Sequence, residues 1–171
     1  MDDINQIKLY NRDMQNKKLI IGINASFARK PNTGIGQVTL NFLRKLSKLK
    51  VQSEKSKVKD YKFVLYLEED LSRNIKLPNG FEKRIFLPWW RRDDLVRKIW
   101  WEKYLLPKRA KKDGCDVFLS LYQCPTIIKN AKHVTLVHDI IPSLFPEYLN
   151  NSRKKHYQKL AEKAIKAADK I

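Results

Sequence analysis

The sequence predicts an α/β protein in which a parallel β-sheet is flanked by helices. Short apolar runs alternate along the chain with segments whose apolar residues recur every three or four positions. The first run, Lys18 to Asn24, is continuously apolar between its two end residues, which is typical of a strand buried on both faces of a parallel sheet. The chain has 171 residues, of which 43% are hydrophobic, enough for one domain with its own core. Strands separated by helices in this rhythm form a parallel sheet covered by helices.

The first half of the chain predicts one helix and three strands. After the strand at 18–24, the helix is indicated by apolar residues at helical spacing. They are Ile35, Val38, Phe42, Leu46 and Leu49, with Leu43 widening the stripe. The polar segment Val51–Asp60 predicts a surface loop. Two further strands are predicted at Tyr61–Leu67 and Lys83–Pro88, with a turn at Asn79-Gly80 between them.

The second half predicts a long helix, two strands and a last helix. Asp93 and Asp94 are suited to cap the long helix, which we expect Pro107 to kink or end. The strands are predicted at Asp116–Ser120 and His133–Asp139. Ser152 is expected to cap the last helix. The predicted inner face of that helix consists of Tyr157, Leu160, Ala161, Ala164, Ile165 and Ala168.

Charge and cysteine content limit the classes of ligand and the cellular compartment expected for the protein. Thirty-six Lys and Arg against eighteen Asp and Glu give a formal net charge of +18, which attracts nucleic acid, anionic lipid head groups or phosphorylated substrates without choosing among them. Cys115 and Cys124 lack the close spacing of a zinc site, and two reduced thiols in a cytoplasmic protein are expected. Residues 1–17 form a polar tail without the apolar core of a signal peptide, and no apolar run approaches the length of a membrane span.

Two segments are placed where a parallel sheet binds ligands, beyond the carboxyl ends of its strands. Thr33-Gly34-Ile35-Gly36 opens the first helix, where glycines allow close backbone approach and free N–H groups favour an anion. His138 and Asp139 end an apolar strand. The plain alternatives stay open: a tight turn that binds nothing, since Thr39 breaks the full G-x-G-x-x-G pattern, a histidine packed at a strand end, and an aspartate that caps a turn. No cluster of metal ligands is present in the sequence.

Three segments, taken in order, resemble a known family. "IGINASFARKPNTGIGQVTLNFLRKL", "IWWEKYLLPKRAKKDGCDVFLSLYQCP" and "HVTLVHDIIPSLFPEY" are similar to the N-terminal domain of the retaining GT-B glycosyltransferases of family four. The similarity runs from about Lys18 to Ile171. It implies a Rossmann-like domain, the N-terminal half of a GT-B fold, which holds the glycan or lipid-linked acceptor of a hexosyltransferase in cell-surface polysaccharide synthesis. The donor implied is a nucleotide-diphosphate sugar, with no metal or other cofactor.

The resemblance also assigns roles to residues. It implies that Thr33, Gly34, Ile35 and Gly36 lie beside the donor phosphates and the acceptor. His138, as the catalytic residue, would touch the transferred sugar, and Asp139 would bind substrate beside it. Arg29, next to the glycine turn, is a candidate for phosphate-rich acceptors. Asn24 stands where many relatives carry Asp and receives no role.

A second domain is implied by the same likeness. In the family the C-terminal domain carries a Glu-x7-Glu pattern and binds the nucleotide sugar, and it would follow directly after Ile171. We therefore expect this 171-residue chain to have no appreciable transferase activity alone. Residues 167–171 are expected to end a helix and enter a further strand.

The segment from Lys83 to Lys112 is basic and aromatic. It holds eleven Lys and Arg against three acidic residues, and all four tryptophans of the chain lie between Trp89 and Trp101. This composition is typical of segments that settle on anionic membranes. It suggests a peripheral location on the inner face of the cytoplasmic membrane. The membrane-surface candidates are Trp89, Trp90, Arg91, Arg92 and Lys98.

Two kinds of alternative remain open from the sequence. In the basic segment, Ile99, Trp100 and Leu105 are equally compatible with a helix face packed on the sheet. For the whole chain, the charge suits a basic module that binds nucleic acid or a membrane, although no helix-turn-helix, zinc-finger or RNP-like pattern is present. A non-catalytic domain that completes another chain is the other alternative.

Overall fold

The centre of the molecule is a five-stranded sheet in which all neighbouring strands are parallel. The computed structural model describes residues 18–53, 61–71, 81–87 and 93–171, and the polar tail 1–17 and the turn expected at Asn79-Gly80 lie outside these ranges. The strands are β1 (Leu19–Asn24), β2 (Tyr61–Leu67), β3 (Phe81–Ile85), β4 (Val117–Ser120) and β5 (Lys132–Thr135). Their order across the sheet, β3-β2-β1-β4-β5, confirms the predicted parallel α/β architecture.

Helices connect and cover these strands. The helices are α1 (Gly34–Ser53), α2 (Asp94–Trp100), α3 (Leu106–Lys112), α4 (Ile141–Leu144) and α5 (Ser152–Lys166). Two short 3₁₀ turns lie at Ser26–Arg29 and Pro146–Tyr148, and a π-helical turn at Trp101–Leu105 joins α2 to α3. Helix α1 extends to Ser53, so the surface loop expected from Val51 starts as helix. The rest of that expected loop, 54–60, lies outside the described residues.

Strands β1 and β2 are covered on both faces, as their continuously apolar sequences predict. Successive side chains of a strand point to opposite faces. On β2, Leu65 therefore belongs to a core that includes Leu43 of α1, and Tyr66 belongs to a second core that includes Trp101. The sheet separates two hydrophobic cores, one under α1 and the other under the π-helical turn and α3.

The buried face of α1 differs slightly from the predicted one. Leu40 and Leu43 are buried, whereas Val38 is 39% exposed. The buried line of the helix runs through Gly36, Leu40 and Leu43, at spacings of four and three residues. The apolar pattern therefore predicted the helix correctly but placed its inner face slightly off.

The long helix does not end at Pro107, because the π-helical turn accommodates the proline. The N–H of Leu106 donates to the carbonyl of Trp101, five residues back. In this pattern the carbonyl of Glu102 would pair with an N–H at position 107, which proline lacks. The hydroxyl of Thr126 donates to that carbonyl instead, at 2.8 Å. The helical path therefore continues through Pro107 to Lys112.

The π-helical turn also decides which tryptophan enters the core. The buried residues of this helical path are Arg97, Trp101, Leu106 and Ala110. The step from Trp101 to Leu106 is five residues long because the π-helical turn contains one extra residue, and these side chains therefore stay on one face. The Trp101 indole N–H donates to the carbonyl of Phe86 at 2.8 Å. Trp100, the residue expected in the core if the helix packed on the sheet, is 53% exposed. For Trp100 that assignment was wrong, because α-helical spacing does not hold through the turn, whereas Leu105 is partly buried against the second core as that alternative expected.

Several predicted boundaries also move. Strand β3 covers Phe81–Ile85, earlier than the predicted Lys83–Pro88, and β5 ends at Thr135, well before Asp139. Asp93 caps α2 as predicted, accepting from the N–H groups of Leu95 and Val96. The cap of α5 is Asn151, whose side chain accepts from the N–H of Lys154, and Ser152 is the first helical residue.

The segment after α5 lies against the outer edge of β5. Thr135 donates its N–H to the carbonyl of Lys170 at 3.0 Å, and Lys170 forms an isolated parallel bridge with Val134. The Asp169 carboxylate accepts from the N–H of His133 at 2.9 Å. The strand-like start predicted for residues 167–171 is confirmed at this bridge.

Candidate functional site

The strand order indicates a candidate ligand-binding position between β1 and β4. The chain moves outward from β1 to β2 and β3, then returns to the other side of β1 for β4 and β5. Such a reversal opens a crevice at the carboxyl ends of the two strands, where open α/β sheets bind their ligands. The segments that leave these ends are 25–36 after β1 and 121–131 after β4. Both segments contain candidate residues.

Thr33 caps the helix that follows β1. Its hydroxyl donates to the carbonyl of Lys30 at 2.9 Å and accepts from the N–H of Gly36 at 3.1 Å. Its carbonyl accepts from the N–H of Gln37 at 2.9 Å. The N–H groups of Gly34 and Ile35 have no partner among the described residues. The first turn of α1 therefore presents two backbone donors at the positive end of the helix dipole.

The two glycines of this turn have different reasons to be glycine. A Cβ on Gly36 would lie 1.9 Å from the carbonyl oxygen of Lys30, whereas a Cβ on Gly34 would meet no atom within 4 Å. Among the described residues, only Gly114 has a positive φ, at 69°. Gly36 is thus required by close packing of the turn against the helix. Gly34 leaves open space next to the free donors.

Arg29 lies near this turn but is held by a buried carboxylate. Its guanidinium is 3.1 Å from Glu68, which directly follows β2 and whose side chain is 3% exposed. The same carboxylate oxygen lies 3.4 Å from Arg97 of α2, and Arg97 also pairs with Asp94 at 3.2 Å. The two arginines compensate the buried charge of Glu68. Arg29 therefore ties the 3₁₀ turn to β2, which restricts it as a substrate ligand.

His138 and Asp139 lie in an irregular segment that is held by one glutamine side chain. The N–H of His138 donates to Gln123 Oε1 at 2.9 Å, and Gln123 Nε2 donates to the carbonyl of Asp139 at 2.7 Å. Strand β4 has already ended at Ser120, so the last ladder bond on this side is the one from the Leu136 N–H to the carbonyl of Ser120, at 2.9 Å. Beyond that point the amide of Gln123 replaces a neighbouring strand.

The imidazole of His138 has a defined tautomer. Its Nε2 lies 2.7 Å from the carbonyl oxygen of Leu121, and a carbonyl only accepts hydrogen bonds, so Nε2 carries the proton. In the neutral ring Nδ1 is then an acceptor. The Asp139 carboxylate accepts from the N–H of Ile141 at 2.7 Å. It therefore caps the turn that leads into α4, which was the alternative to a substrate-binding role.

The two groups of candidates share one edge of the sheet without bonding each other. Thr33 to Gly36 follow β1, and His138 and Asp139 follow β5, two positions away across the sheet. No hydrogen bond joins the two groups within the described ranges. Residues 121–123, which follow β4, lie between them in the strand order and contact the histidine segment.

A buried polar cluster around Glu102 was not predicted from the sequence. Glu102 lies on the π-helical turn and is 0% exposed. Its carboxylate accepts from the hydroxyls of Tyr122 at 2.6 Å and Tyr157 at 2.9 Å. Tyr122 in turn contacts Ser26 Oγ at 2.8 Å and accepts from Asn24 Nδ2 at 3.2 Å. The cluster thus joins the end of β1, the segment after β4, the π-helical turn and α5 directly behind the crevice.

Burial dominates the electrostatics of this cluster. Desolvation raises the pKa of Glu102 to about 7, against the opposing effects of the Lys98 charge and the two tyrosine hydroxyls. Burial and the Glu102 charge raise the pKa of the nearby Cys124 thiol to about 11. The pKa of Tyr122 is raised for the same two reasons. These three groups are fully buried and pack behind the crevice.

One signal in the sequence pointed toward this cluster. Asn24 ends an otherwise apolar strand, and such a polar residue at the carboxyl end needs a partner when it is buried. It is 0% exposed, and its Oδ1 accepts from the N–H of Ser26 at 3.2 Å. Glu102 itself gave no signal, because the π-helical turn shifts the helix face on which it lies.

Of the membrane-surface candidates, only Lys98 lies within the described residues. Its side chain is 24% exposed and its ammonium is 3.8 Å from Glu102. The ammonium also lies 4.7–5.3 Å from the ring centroids of Phe27, Tyr122 and Tyr157, within the range of cation–π attraction. Lys98 therefore points inward, contrary to its assignment as a surface residue. The other four candidates, Trp89, Trp90, Arg91 and Arg92, lie outside the described ranges.

The described residues contain neither a metal-binding cluster nor a membrane-spanning helix. No group of three or more His, Cys, Asp or Glu side chains in the described part of the chain is arranged to hold a metal ion. None of its helices is long and apolar enough to cross a membrane. Cys115 and Cys124 are both buried and free.

Comparison with known proteins returned no match, whether with family models, with curated proteins or with solved structures. The likeness to glycosyltransferases thus rests on the sequence motifs quoted above. The other support for a function is the geometry of the segments that follow the carboxyl ends of β1, β4 and β5.

Proposed function

We propose that this chain is the acceptor-side domain of a retaining glycosyltransferase. The whole enzyme would transfer a hexose from a nucleotide-diphosphate sugar to a glycan or lipid-linked acceptor in cell-surface polysaccharide synthesis, at the inner face of the cytoplasmic membrane. The order of the sequence motifs supports this family. The parallel sheet with its reversal between β1 and β4 is the architecture that such a domain requires.

The observation that carries the proposal is the pair of free N–H groups at Gly34 and Ile35. They lie at the N-terminus of α1, a helix of 20 residues, beside the crevice. Breaking a glycosyl–phosphate bond leaves negative charge on the departing diphosphate, and positioned donors stabilise that charge. The open space above Gly34 leaves room for a phosphate group to approach the backbone.

His138 would contact the sugar through Nδ1. Because Nε2 donates to Leu121, the neutral ring accepts a hydrogen bond from a sugar hydroxyl at Nδ1. A donated bond from Nδ1 would require the imidazolium form, which also stabilises nearby negative charge.

The second domain would supply most of the nucleotide contacts. We therefore expect the chain alone to bind phosphate-bearing ligands weakly and to turn over no nucleotide sugar. Release of nucleoside diphosphate by the purified 171-residue chain would contradict this expectation, and a radiolabelled UDP-glucose, UDP-galactose and GDP-mannose panel would detect it.

A matched pair of substitutions at Gly34 tests the site. Proline is favourable at the first helical position and lacks an N–H, so Gly34→Pro removes one donor and keeps the helix. Gly34→Ala keeps the donor and also fits, since the position is open. Titration of the labelled protein with inorganic pyrophosphate and with the same nucleotide sugars, followed by amide chemical shifts, compares the two.

The expected result is that all ligands shift the amide signals of residues 33–37 in the wild type and in Gly34→Ala. In Gly34→Pro these shifts should need roughly tenfold more ligand, the effect of losing one charge-assisted hydrogen bond. Equal titration of both variants, or shifts confined to another part of the molecule, would overturn the proposal.

A further inference from the structure

A second concave surface lies at the opposite end of the strands from the candidate site. It is a cavity of about 780 Å³ between α3, residues 125–131 and Lys163 of α5. Cys115 and Ala131 line it, and they precede the first residues of β4 and β5 respectively. The cavity is thus at the amino-terminal ends of these strands, whereas the glycine turn and His138 follow carboxyl-terminal ends. It is separate from the proposed sugar-transfer site.

The interior of this cavity is apolar. Its walls include Pro107 and Ala110 of α3 and Pro125, Ile127 and Ile128 of the segment after β4. Ala110 and Pro125 are buried, and Ile127 and Ile128 are partly buried. The two prolines have no N–H to offer to a ligand. The interior therefore suits a hydrocarbon chain better than a sugar or a base.

The rim of the cavity is cationic. Lys103, Lys108, Lys111, Lys129 and Lys163 line it, and its lining contains no carboxylate. All five are exposed, and none forms an ion pair within the described ranges. Arg109, between two of them, instead pairs with Asp113 at 3.5 Å. Five ammonium groups surround one apolar opening without a carboxylate partner among the described residues, and one of them, Lys103, lies 5.1 Å from the centroid of the Tyr104 ring. Together they attract an anion.

We propose that this cavity binds one anionic lipid, with its phosphate head at the lysine rim and the first part of its chain on the apolar walls. A cavity of this size accommodates a drug-sized ligand. An apolar chain without charge would leave the lysines uncompensated, and inorganic phosphate would leave the walls unfilled. Only a molecule that combines both features satisfies the whole surface. The site does not depend on the proposed glycosyltransferase activity.

The source of the lipid is a membrane leaflet, and two exposed aromatic rings beside the cavity indicate this. Tyr104 lines the cavity and is 48% exposed, and the neighbouring Trp100 is 53% exposed. Their ring centroids are 5.1 Å apart. Tryptophan and tyrosine are the side chains that favour the head-group region of a bilayer. The pair therefore suits the contact between the mouth of the cavity and a lipid surface.

Binding of a soluble probe tests the site itself. Dodecyl phosphate, kept below its micelle concentration, combines the required head and chain, and isothermal titration measures its affinity. Lys108→Gln/Lys111→Gln removes two rim charges from exposed helical positions. Lys155→Gln/Lys159→Gln removes two exposed charges from α5 outside the cavity lining and changes the net charge equally.

Because a lysine near an anionic surface changes affinity by about fivefold, the rim variant should bind dodecyl phosphate about 25-fold more weakly, and the α5 variant should match the wild type. Dodecyl maltoside, with the same chain and no charge, and inorganic phosphate, with no chain, should both bind far more weakly than dodecyl phosphate. Equal losses in the two variants would mean that only overall charge matters. Equal affinity for inorganic phosphate would mean a simple anion site. Either result overturns the proposal.

Vesicles test the membrane source. In flotation assays the wild type should bind vesicles of phosphatidylcholine with phosphatidic acid and not vesicles of phosphatidylcholine alone, and the rim variant should bind the former less. Trp100→Ala should weaken vesicle binding while leaving the affinity for dodecyl phosphate unchanged. If Trp100→Ala does not weaken vesicle binding, the assignment to a membrane leaflet is wrong.

Discussion

At the scale of single residues, Gly34 and Gly36 make different contributions to one helix start. Gly36→Ala would place a Cβ 1.9 Å from the carbonyl oxygen of Lys30, so the turn must move. Overpacking of this kind costs about 1–3 kcal/mol. Gly34→Ala meets open space and should stabilise the protein by about 0.4–1 kcal/mol, because alanine restricts the unfolded chain.

Urea denaturation of the two variants measures this difference. Both substitutions add the same methyl group two residues apart, so each is the control of the other. Equal unfolding free energies for both variants would show that Gly36 does not pack as the structure indicates.

Glu102 and His133 make opposite contributions to the pH dependence of folding. Burial raises the pKa of Glu102 from 4.5 to about 7, so the folded protein keeps a proton that the unfolded chain releases. Stability from this group is complete below pH 4.5 and declines as the pH rises to about 7. Burial lowers the pKa of His133 from 6.5 to about 4. Stability from this group is complete above pH 6.5 and declines as the pH falls to about 4.

Replacing Glu102 by Gln should therefore change the shape of the pH profile. The two opposing groups flatten the wild-type curve between pH 4.5 and 6.5. Glu102→Gln keeps a side chain that bonds Tyr122 and Tyr157 but no longer titrates. The free energy of unfolding of the variant should rise with pH between 4.5 and 6.5. Between pH 4.5 and pH 7 it should increase by up to about 3 kcal/mol relative to that of the wild type. Urea denaturation at successive pH values measures both curves, and parallel curves would contradict the assignment.

At the scale of elements, the π-helical turn depends on a side chain from another segment. Thr126 supplies the donor that Pro107 lacks for the carbonyl of Glu102. Thr126→Val leaves this buried carbonyl without a donor, at a cost of about 1–3 kcal/mol. Thr126→Ser keeps the hydroxyl and should cost clearly less.

A double-mutant cycle with Pro107→Ala tests the physical reason. Alanine at 107 has an N–H that can donate to Glu102 in the π-helical pattern, so Thr126→Val should cost less in that background. Urea denaturation of the four proteins measures the coupling. Additive costs would show that Thr126 and the missing N–H at 107 are unrelated.

Patterns among residues that are neighbours in the sequence predicted most of the fold. The parts that were not predicted are mainly those in which a distant side chain replaces a backbone hydrogen bond. Continuous apolar runs predicted the parallel sheet, since only burial on both faces explains them. The strand that was expected to reach Asp139 ends at Thr135, because a side chain, Gln123, takes the place of a backbone partner. The position of Trp101 and Glu102 could not be predicted, since nothing local to Trp101–Leu105 announces a π-helical turn.

The position of the candidate residues in the fold was predicted from the sequence, but their hydrogen bonds were not. Thr33, Gly34, Gly36 and His138 all follow carboxyl ends of strands, which the strand pattern alone indicates. Their bonding was not predictable. The tautomer of His138 depends on the carbonyl of Leu121, and the confinement of Arg29 depends on Glu68, both from distant parts of the chain.

At the scale of the whole molecule, the formal charge of +18 sets the response to salt. Repulsion within the folded state exceeds that in the more expanded unfolded chain, and added salt screens it over a Debye length of about 8 Å at physiological ionic strength. The melting temperature should therefore rise between low and physiological NaCl concentration. Screening worth about 1 kcal/mol corresponds to a rise of about 2–4 °C for a chain of this size.

Differential scanning calorimetry measures this rise, and an uncharged osmolyte at matched osmolality controls for effects unrelated to charge. A fall in melting temperature with NaCl would mean that surface ion pairs, such as Lys83 with Asp70 at 2.6 Å, outweigh the net repulsion.

The amide of Gln123 has a consequence for experiments on His138. A neutral amide neither titrates nor loses strength as ions accumulate around it, so the backbone that carries the histidine stays anchored across the range of pH and salt in which the protein is folded. The anchor thereby acts as an internal reference. A change in sugar binding at this edge with pH or salt is then not caused by movement of the segment that presents His138.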